Sequence, residues 1–502
     1  MRFIIIGVCF NLTIVLFFSR PTFAQSSFQI HIGSEWNDWV TSADNDSLGN
    51  TIFTGVVSPG DAFSPRSSLL VRVRANGTYM QRSIAAPDTS FAFQYVKILD
   101  NGNYFVISDY KPYPTTQDNA MAIFIFDTAM NIISQKSYAL PEGYFRIGGY
   151  TDMVENNDGN LVFAASLSYY EGASTFEDFV FYTFNQEGDT LASRVYETRF
   201  HADVYGLTKV PNSNQLMMIS RGYLPFTAGE LMFIDYNLDI IRVKRIRSSW
   251  STYFDSKYWL SDTTFITSES FIQQREGLPS EYMMRTCILD TAATYLKIKE
   301  LNRPDTIEYV SFAESMSYFD DTTIYISGFQ SYNDLTFSLP TNVFLYMVDT
   351  NLNIRGYKAL GGDHNYIGLG VTSTLDGGCL VWGLRYYIPY DGNETDIIIW
   401  KVMPEDMILY TDVSYLPPGR ISGHAWPNPV KDELFISLEG FAHGETIRYR
   451  ITDMQGRTCL DLKQTVNGNC LHTQTHNLDP GMYVYEVSGP GKKIISGKFI
   501  KQ

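Results

Sequence analysis

Short apolar runs broken by polar turns recur along the chain with a regular step. One series reads Gly49-Asn50-Thr51-Ile52-Phe53-Thr54-Gly55, Gly102-Asn103-Tyr104-Phe105-Val106-Ile107, Gly159-Asn160-Leu161-Val162-Phe163 and Asn214-Gln215-Leu216-Met217-Met218-Ile219. It continues with Thr263-Thr264-Phe265-Ile266, Thr322-Thr323-Ile324-Tyr325-Ile326-Ser327-Gly328 and Gly377-Gly378-Cys379-Leu380-Val381-Trp382-Gly383. A second series of apolar runs begins near Leu69, Ala122, Phe179, Leu231, Met283, Val343 and Ile397 and ends in turns such as Asn76-Gly77 or Asp349 to Asn353. Both series step by about fifty to sixty residues, which marks a repeat. Each unit has room for about four short strands, the make-up of a propeller blade. The expected fold is therefore all-β, with a seven-bladed β-propeller over 25–414. A tandem of β-sandwiches is the alternative, but such domains run nearer about 100 residues each.

The periodicity breaks at Tyr415-Leu416-Pro417-Pro418-Gly419, so 415–424 reads as a linker. Alternation then returns. Leu434, Ile436 and Leu438 share one strand face, as do Ile447, Tyr449 and Ile451. Turns at Asp453 to Gly456, Asn467-Gly468, Leu478 to Gly481 and Gly489 to Gly491 divide 425–502 into short strands. A small Ig-like β-sandwich is expected there.

At the other end, Arg2, the apolar run Phe3 to Phe18 and Thr22-Phe23-Ala24 have the layout of a secretory signal peptide over 1–24. An uncleaved anchor is the competing reading, but the run is short for a span and Pro21 follows it closely. No later stretch is long and apolar enough to cross a bilayer, so no transmembrane segment is expected after cleavage.

Charge separates the parts further. Residues 25–424 carry 27 Lys/Arg and 46 Asp/Glu, a net −19, whereas 425–502 carry nine and eight, a net +1. So acidic a body argues against nucleic acid as a partner, because phosphates need Lys and Arg. Four cysteines follow the signal segment. Cys459 and Cys470, on two expected neighbouring strands, form a possible disulfide in an exported protein, while Cys287 and Cys379 sit in apolar runs as buried thiols. No pair has metal-ligand spacing.

The repeat units resemble the secreted bacterial β-propeller repeats of the SBBP type, the first copy best, through Phe28-Gln29-Ile30-His31-Ile32-Gly33-Ser34-Glu35-Trp36-Asn37-Asp38 and the strand to Gly55. In that pattern the opening strand is the outer strand of the preceding blade, which implies that Phe28 to Ile32 completes the last one. Met407 to Val413 could supply the same strand from the other end, and both options stand.

The tail is similar to the type A C-terminal sorting domain of the type IX secretion system of Bacteroidota. The matching elements are Pro427-Asn428-Pro429, Leu434-Phe435-Ile436, Ile451-Thr452-Asp453 with Gly456-Arg457, Leu478-Asp479-Pro480-Gly481-Met482-Tyr483 and Lys498-Phe499-Ile500-Lys501. The resemblance implies a sorting signal that includes Pro427, Asn428, Pro429, Gly456, Gly481, Tyr483, Lys498 and Phe499. It also implies the type IX machinery as a partner and a secreted or surface-attached destination. Asp127-Thr128-Ala129, Asp189-Thr190-Leu191, Asp290-Thr291-Ala292 and Asp305-Thr306-Ile307 look like the O-glycosylation sequon of such exported proteins.

Candidate chemistry gathers on one side. In a four-stranded blade the second-to-third loop and the connection to the next blade leave by the same face. The second-to-third loops are expected to be long and aromatic, with Tyr110, Tyr113, Tyr169, Tyr170, Tyr223, Tyr386, Tyr387 and Tyr390, and the blade connections add Trp250 and His364. Rigid aromatic rings on one face suit stacking on a sugar or covering a peptide. There is no Gly-x-Ser-x-Gly elbow, no His-Glu-x-x-His and no phosphate loop. Asp44-Asn45-Asp46-Ser47 and Asp320-Asp321 read as solvated turns rather than calcium loops. The expected role is a cofactor-free binding module for extracellular carbohydrate or protein. A polysaccharide hydrolase or lyase with carboxylates drawn from several blades is the alternative.

Overall fold

The computed structural model describes residues 27–59, 65–112, 120–172, 174–198, 202–222, 229–246, 251–273, 281–301, 307–331, 340–387, 394–409, 425–426, 429–438, 441, 444–453, 456–466, 470–489 and 494–502. The chain divides into two compact units, 1–410 and 411–502. Both are built of β-strands.

In the first unit the strands form sheets that pair antiparallel in chain order. The first sheet runs Asn37–Asn45, Thr51–Ser58, Ser67–Val73 and Tyr79–Ile84, and the second Thr89–Ile98, Tyr104–Pro112, Ala120–Phe126 and Ile132–Ala139. The third runs Tyr144–Glu155, Leu161–Glu171, Ser174–Phe184 and Thr190–Tyr196. The fourth and fifth span Asp203–Arg245 and Ser251–Glu300 in the same order. In the sixth, Ile307–Val310 and Met316–Asp320 both pair with Thr323–Ser331, followed by Asn342–Val348 and Ile354–Gly361. The seventh set, Asn365–Ser373, Cys379–Tyr386 and Thr395–Val402, is continuous with the first through one parallel pairing of Asn37 with Thr395. Its fourth strand comes from the start of the chain, where Phe28–Ile32 pairs antiparallel with Thr395–Val402. The rival segment goes elsewhere: Ile408–Leu409 pairs with Ile354–Gly361 at the edge of the sixth sheet.

Burial explains the sequence pattern. Ala120–Phe126 is buried at every position, and Leu161–Glu171 at its first eight, whereas Ile132–Ala139 is exposed or half-buried throughout. Middle strands covered on both faces read as continuous apolar runs, and outer strands do not. Each sheet packs on the next through its own apolar cluster, such as Phe105, Ile123 and Phe163 between the second and third. The seventh sheet packs on the first through Ile30, Ile32, Phe53, Leu69, Trp382 and Ile397, so the succession closes on itself.

Two local devices recur. The first strand is bulged in the first, second, fourth and seventh sheets, between Val40 and Ser42, Phe93 and Tyr95, Val204 and Gly206, and Gly368 and Gly370. The glycine near the end of the second strand follows from this. A Cβ on Gly55 would meet the Trp39 carbonyl oxygen at 2.4 Å, and one on Gly383 the Ile367 carbonyl at 2.2 Å, where the bulged backbone crowds in. The third-to-fourth turns of the second, fourth, fifth and sixth sheets share an Asp cap. Asp127 Oδ1 accepts from the amides of Ala129 and Asn131 at 2.9 and 2.7 Å, and Asp290 Oδ1 from those of Ala292 and Thr294 at 2.9 and 2.8 Å. That cap supports positive φ at Met130 and Ala293, so the Asp-Thr-Ala stretches have a structural role in these turns.

The second unit holds two sheets. Ala425–Trp426, Glu433–Ser437 and Cys470–Gln474 form one, and Thr458–Thr465, Thr446–Asp453, Gly481–Ser488 and Ile494–Lys501 the other. They share one core that includes Leu434, Ile436, Tyr449, Ile451, Tyr485 and Phe499. The disulfide expectation is corrected here. Cys459 is a free, exposed thiol, and its strand lies in a different sheet from Cys470, not beside it.

Candidate functional site

Of the aromatic residues picked from the sequence, Tyr110, Tyr169, Tyr170, Tyr386 and Tyr387 are described, and several are strand residues rather than loop residues. Tyr110 lies on Tyr104–Pro112, Tyr386 ends Cys379–Tyr386, and Tyr169 and Tyr170 lie on Leu161–Glu171, which turns directly into Ser174–Phe184. Tyr113, Tyr223, Trp250 and Tyr390 lie outside the described residues.

Two of the chosen residues, Tyr387 and His364, meet at the end of the seventh sheet. Their rings are 5.4 Å apart, edge to face. They join three residues that sequence reasoning missed. Arg385 and Asp396 face each other across neighbouring strands, and His31 arrives on the strand from the chain start. His31 Nε2 lies 2.6 Å from Asp396 Oδ2, to which the Tyr387 hydroxyl also donates. The Arg385 guanidinium sits 4.5 Å above the Tyr387 ring, a cation–π contact. Asp396 is only 2% exposed. Its Oδ1 is buried without a hydrogen-bond partner, and so are Arg385 Nε and His364 Nδ1. Asp396 Oδ1 presses on Gly33, where an added Cβ would come within 2.0 Å of it. Burial pushes the Tyr387 hydroxyl up to about 12, with Asp396 adding to the rise. Burial, then the Arg385 charge, lowers His364, which favours its neutral form. The missed residues did leave a signal: Arg385 and Asp396 are charges set in otherwise apolar strands.

Asp38, on the adjoining first strand, is 2% exposed, and its Oδ2 accepts from the Ser34 amide at 2.6 Å. Burial raises its carboxyl from 3.8 to about 6 against the Ser34 bonds, and Asp396 and Glu394 add to the rise. The folded state thus holds this proton more tightly than the unfolded chain. The resulting stability is present at low pH and is lost as pH rises through about 6. Asp38→Asn, which keeps an oxygen acceptor for Ser34, is expected to stabilise the protein at pH 7.5 by about 2 kcal/mol. At pH 4 it should have little effect. Urea unfolding at the two pH values checks this, and an equal effect at both would contradict it.

A second feature lies along the first strands. A cavity of about 600 Å³ is lined by Asp44, Tyr95, Lys97, Asp152, Thr208, Glu314 and neighbours from the first, second, third, fourth, sixth and seventh sheets. Lys97 Nζ sits 3.0 Å from Asp44 Oδ2, which also accepts from the Ile98 amide at 2.8 Å. The Tyr95 hydroxyl donates to Asp152 Oδ1 at 2.8 Å, and the Leu207 amide to Asp152 Oδ2 at 2.5 Å. Burial and the carboxylates Asp152, Glu314 and Asp44 push Tyr95 well above its ordinary range. Burial alone would lower Lys97, but Asp44 outweighs it and the ammonium is held charged. Asp44, expected in a solvated turn, is instead aimed inward. No group of three or more metal-ligating side chains converges among the described residues.

In the second unit, Pro427 and Asn428 lie outside the described residues. Pro429 precedes Val430, whose amide donates to the Ile500 carbonyl at 2.7 Å. Gly456 takes φ +79° in the turn capped by Asp453. Gly481 opens the strand of Tyr483, which stacks on Phe499 with centroids 5.5 Å apart. Lys498 is exposed beside buried Phe499.

The chain is an all-β protein that ends in an export module. Residues 424–502 match the family described as the secretion system C-terminal sorting domain, the type IX sorting tail. The protein is therefore secreted or attached to the outer-membrane surface, and its tail engages the secretion machinery. Among the described residues, no helix is long and apolar enough to cross a membrane. No curated protein matches the chain. Solved structures similar to it include a Dyadobacter fermentans protein of unknown function, at 10% identity and TM-score 0.41 over 60% of this chain and 93% of that one. A fungal alcohol oxidase in complex with copper matches at 10% and 0.41 over 95% and 99%. A β-1,3-galactosidase matches at 10% and 0.33 over 77% and 97%.

Proposed function

We propose that residues 25–414 form a seven-bladed β-propeller that binds extracellular carbohydrate through its loop face, and that 425–502 is an Ig-like sorting domain that carries it there. The four-stranded antiparallel sheets in chain order, with the first and last packed together, support the propeller. The binding role rests on one observation: Asp396 Oδ1, Arg385 Nε and His364 Nδ1 lie in one cluster, buried and unpartnered, beside Tyr387. A buried polar atom without a partner costs free energy, so a ligand whose binding uncovers these atoms and supplies one is favoured. A sugar hydroxyl both donates and accepts, and matches a set that offers a carboxylate oxygen and a guanidinium N–H together.

The test is a glycan array with the purified secreted protein, followed by calorimetry on Asp396→Asn and Arg385→Gln. Each change removes a hydrogen bond to a charged group, so affinity should fall about 10- to 100-fold. Absence of any glycan ligand, or unaltered affinity in both folded variants, would sink the proposal. The hydrolase or lyase reading keeps one supporting observation, the three carboxylates Asp44, Asp152 and Glu314 on a single cavity. Release of new reducing ends or unsaturated products from the bound polysaccharide would favour it.

A further inference from the structure

The end of the second and third sheets brings three cations to one carboxylate in this acidic body. Asp109 and Lys111 are two apart on Tyr104–Pro112 and so point to the same side of the sheet. Lys111 pairs across the strand with Ser90, whose hydroxyl accepts from the Arg66 amide at 3.0 Å, and the Phe91 amide donates to the Arg66 carbonyl at 3.1 Å. Arg66 is thereby fixed beside Lys111. From the third sheet, the Ile147 amide hydrogen-bonds Asp109, which brings in its neighbour Arg146. Arg146, Arg66 and Lys111 all act electrostatically on Asp109. Three cations from three sheets thus surround one carboxylate, whose Oδ1 is buried without a hydrogen-bond partner. Among the described residues, none of the three cationic groups has an ion pair.

Next to Arg146, Phe145 stacks on Tyr170 with centroids 4.2 Å apart and planes 10° from parallel, and Tyr170 is 66% exposed. An exposed ring held flat by a second ring is a stacking platform. It stands beside Arg146, with Glu171 as its chain neighbour.

We propose that this end of the second and third sheets is a subsite for an acidic sugar, with Tyr170 under the ring and Arg66, Lys111 and Arg146 on its anionic group. The inference rests on the carbohydrate reading above and names the sugar class for a second place on the same face. An Arg fork matches the planar oxygens of a carboxylate or the oxygens of a sulfate ester, and a pyranose offers an apolar face to an aromatic ring. A neutral glycan would meet the platform but leave the cations unanswered.

The experiment measures binding of the purified secreted protein to polygalacturonate, to a sulfated galactan and to a neutral β-glucan, each at low and at high salt. Acidic glycans should bind more tightly than the neutral one and weaken as salt rises, because exposed charge pairs are screened. The double variant Lys111→Gln/Arg146→Gln should lose about tenfold or more for acidic glycans and keep its neutral affinity, since two charge-assisted bonds are removed. Tyr170→Ala should weaken both kinds of binding. The carboxylated and sulfated arms identify which anion is read. Equal affinity for acidic and neutral glycans, or no loss in the double variant, overturns the subsite and leaves the wider reading intact. Failure of every glycan to bind overturns both.

Discussion

Deleting residues 425–502 is expected to leave the protein in the periplasm, with essentially none at the cell surface. The tail is a folded signal rather than a string of exposed residues. Among the described residues, its core cluster consists of tail residues from Val430 to Phe499. Within it the matched positions divide by role. Tyr483 and Phe499 stack in the core, while Lys498 is exposed on the same strand as Phe499. Phe499→Ala should cost about 3–5 kcal/mol of tail stability, because a fully buried ring leaves a cavity. Export should fail with it. Lys498→Ala should leave the fold intact and reduce export only through recognition. Cell fractionation with surface proteolysis reads all three. A truncated chain that still reached the surface would show that the tail is not the label.

The second large effect concerns closure of the first unit. Ile32 is 5% exposed and packs with Phe53, Leu69, Trp382 and Ile397 where the last sheet meets the first. Ile32→Ala should cost about 2–5 kcal/mol, the range for a buried aliphatic cut back to Ala. Ile408, on the competing segment, is 66% exposed, and Ile408→Ala should stay within about 0.5 kcal/mol. Denaturant midpoints of the two variants measure the contrast. Similar losses would mean that both segments carry the closure.

The turns between strands were legible because their signals are local. An Asx or Gly turn needs only its own few residues, as at Asp46 to Asn50, where the Asp46 amide donates to the Asn50 carbonyl at 2.9 Å and Gly49 takes φ +84°. The continuous apolar strands were legible too, although alternation is lost where both faces are covered. Aromatic enrichment pointed to Tyr110, Tyr170 and Tyr387, of which Tyr387 lies in the Asp396 cluster and Tyr170 stacks on Phe145. Treating them as loop residues was the error at Tyr169 and Tyr170, where the hairpin is tight and the strands long.

The candidate site itself was not legible in full. His31 and Asp396 are hundreds of positions apart in the chain and 2.6 Å apart in space. No spacing rule reports such a pair, because it exists only once the first strand lies beside the last sheet. Asp44 shows the same limit in a smaller frame. Its neighbours spell a polar turn, yet its carboxylate meets Lys97 and the Ile98 amide of the next sheet.

The division between sequence and tertiary structure follows from range. Strand content, turn chemistry, the repeat step, the charge contrast between body and tail, and the sorting signal all rest on residues close in the chain, and the sequence by itself determined them. Which end of the chain closes the first unit, where the unpartnered atoms of Asp396, Arg385 and His364 meet, and that Arg66, Lys111 and Arg146 share one carboxylate were decided only by tertiary structure. Each depends on which sheets become neighbours, and Ile30 and Ile32 settle that by filling a core that no local pattern describes.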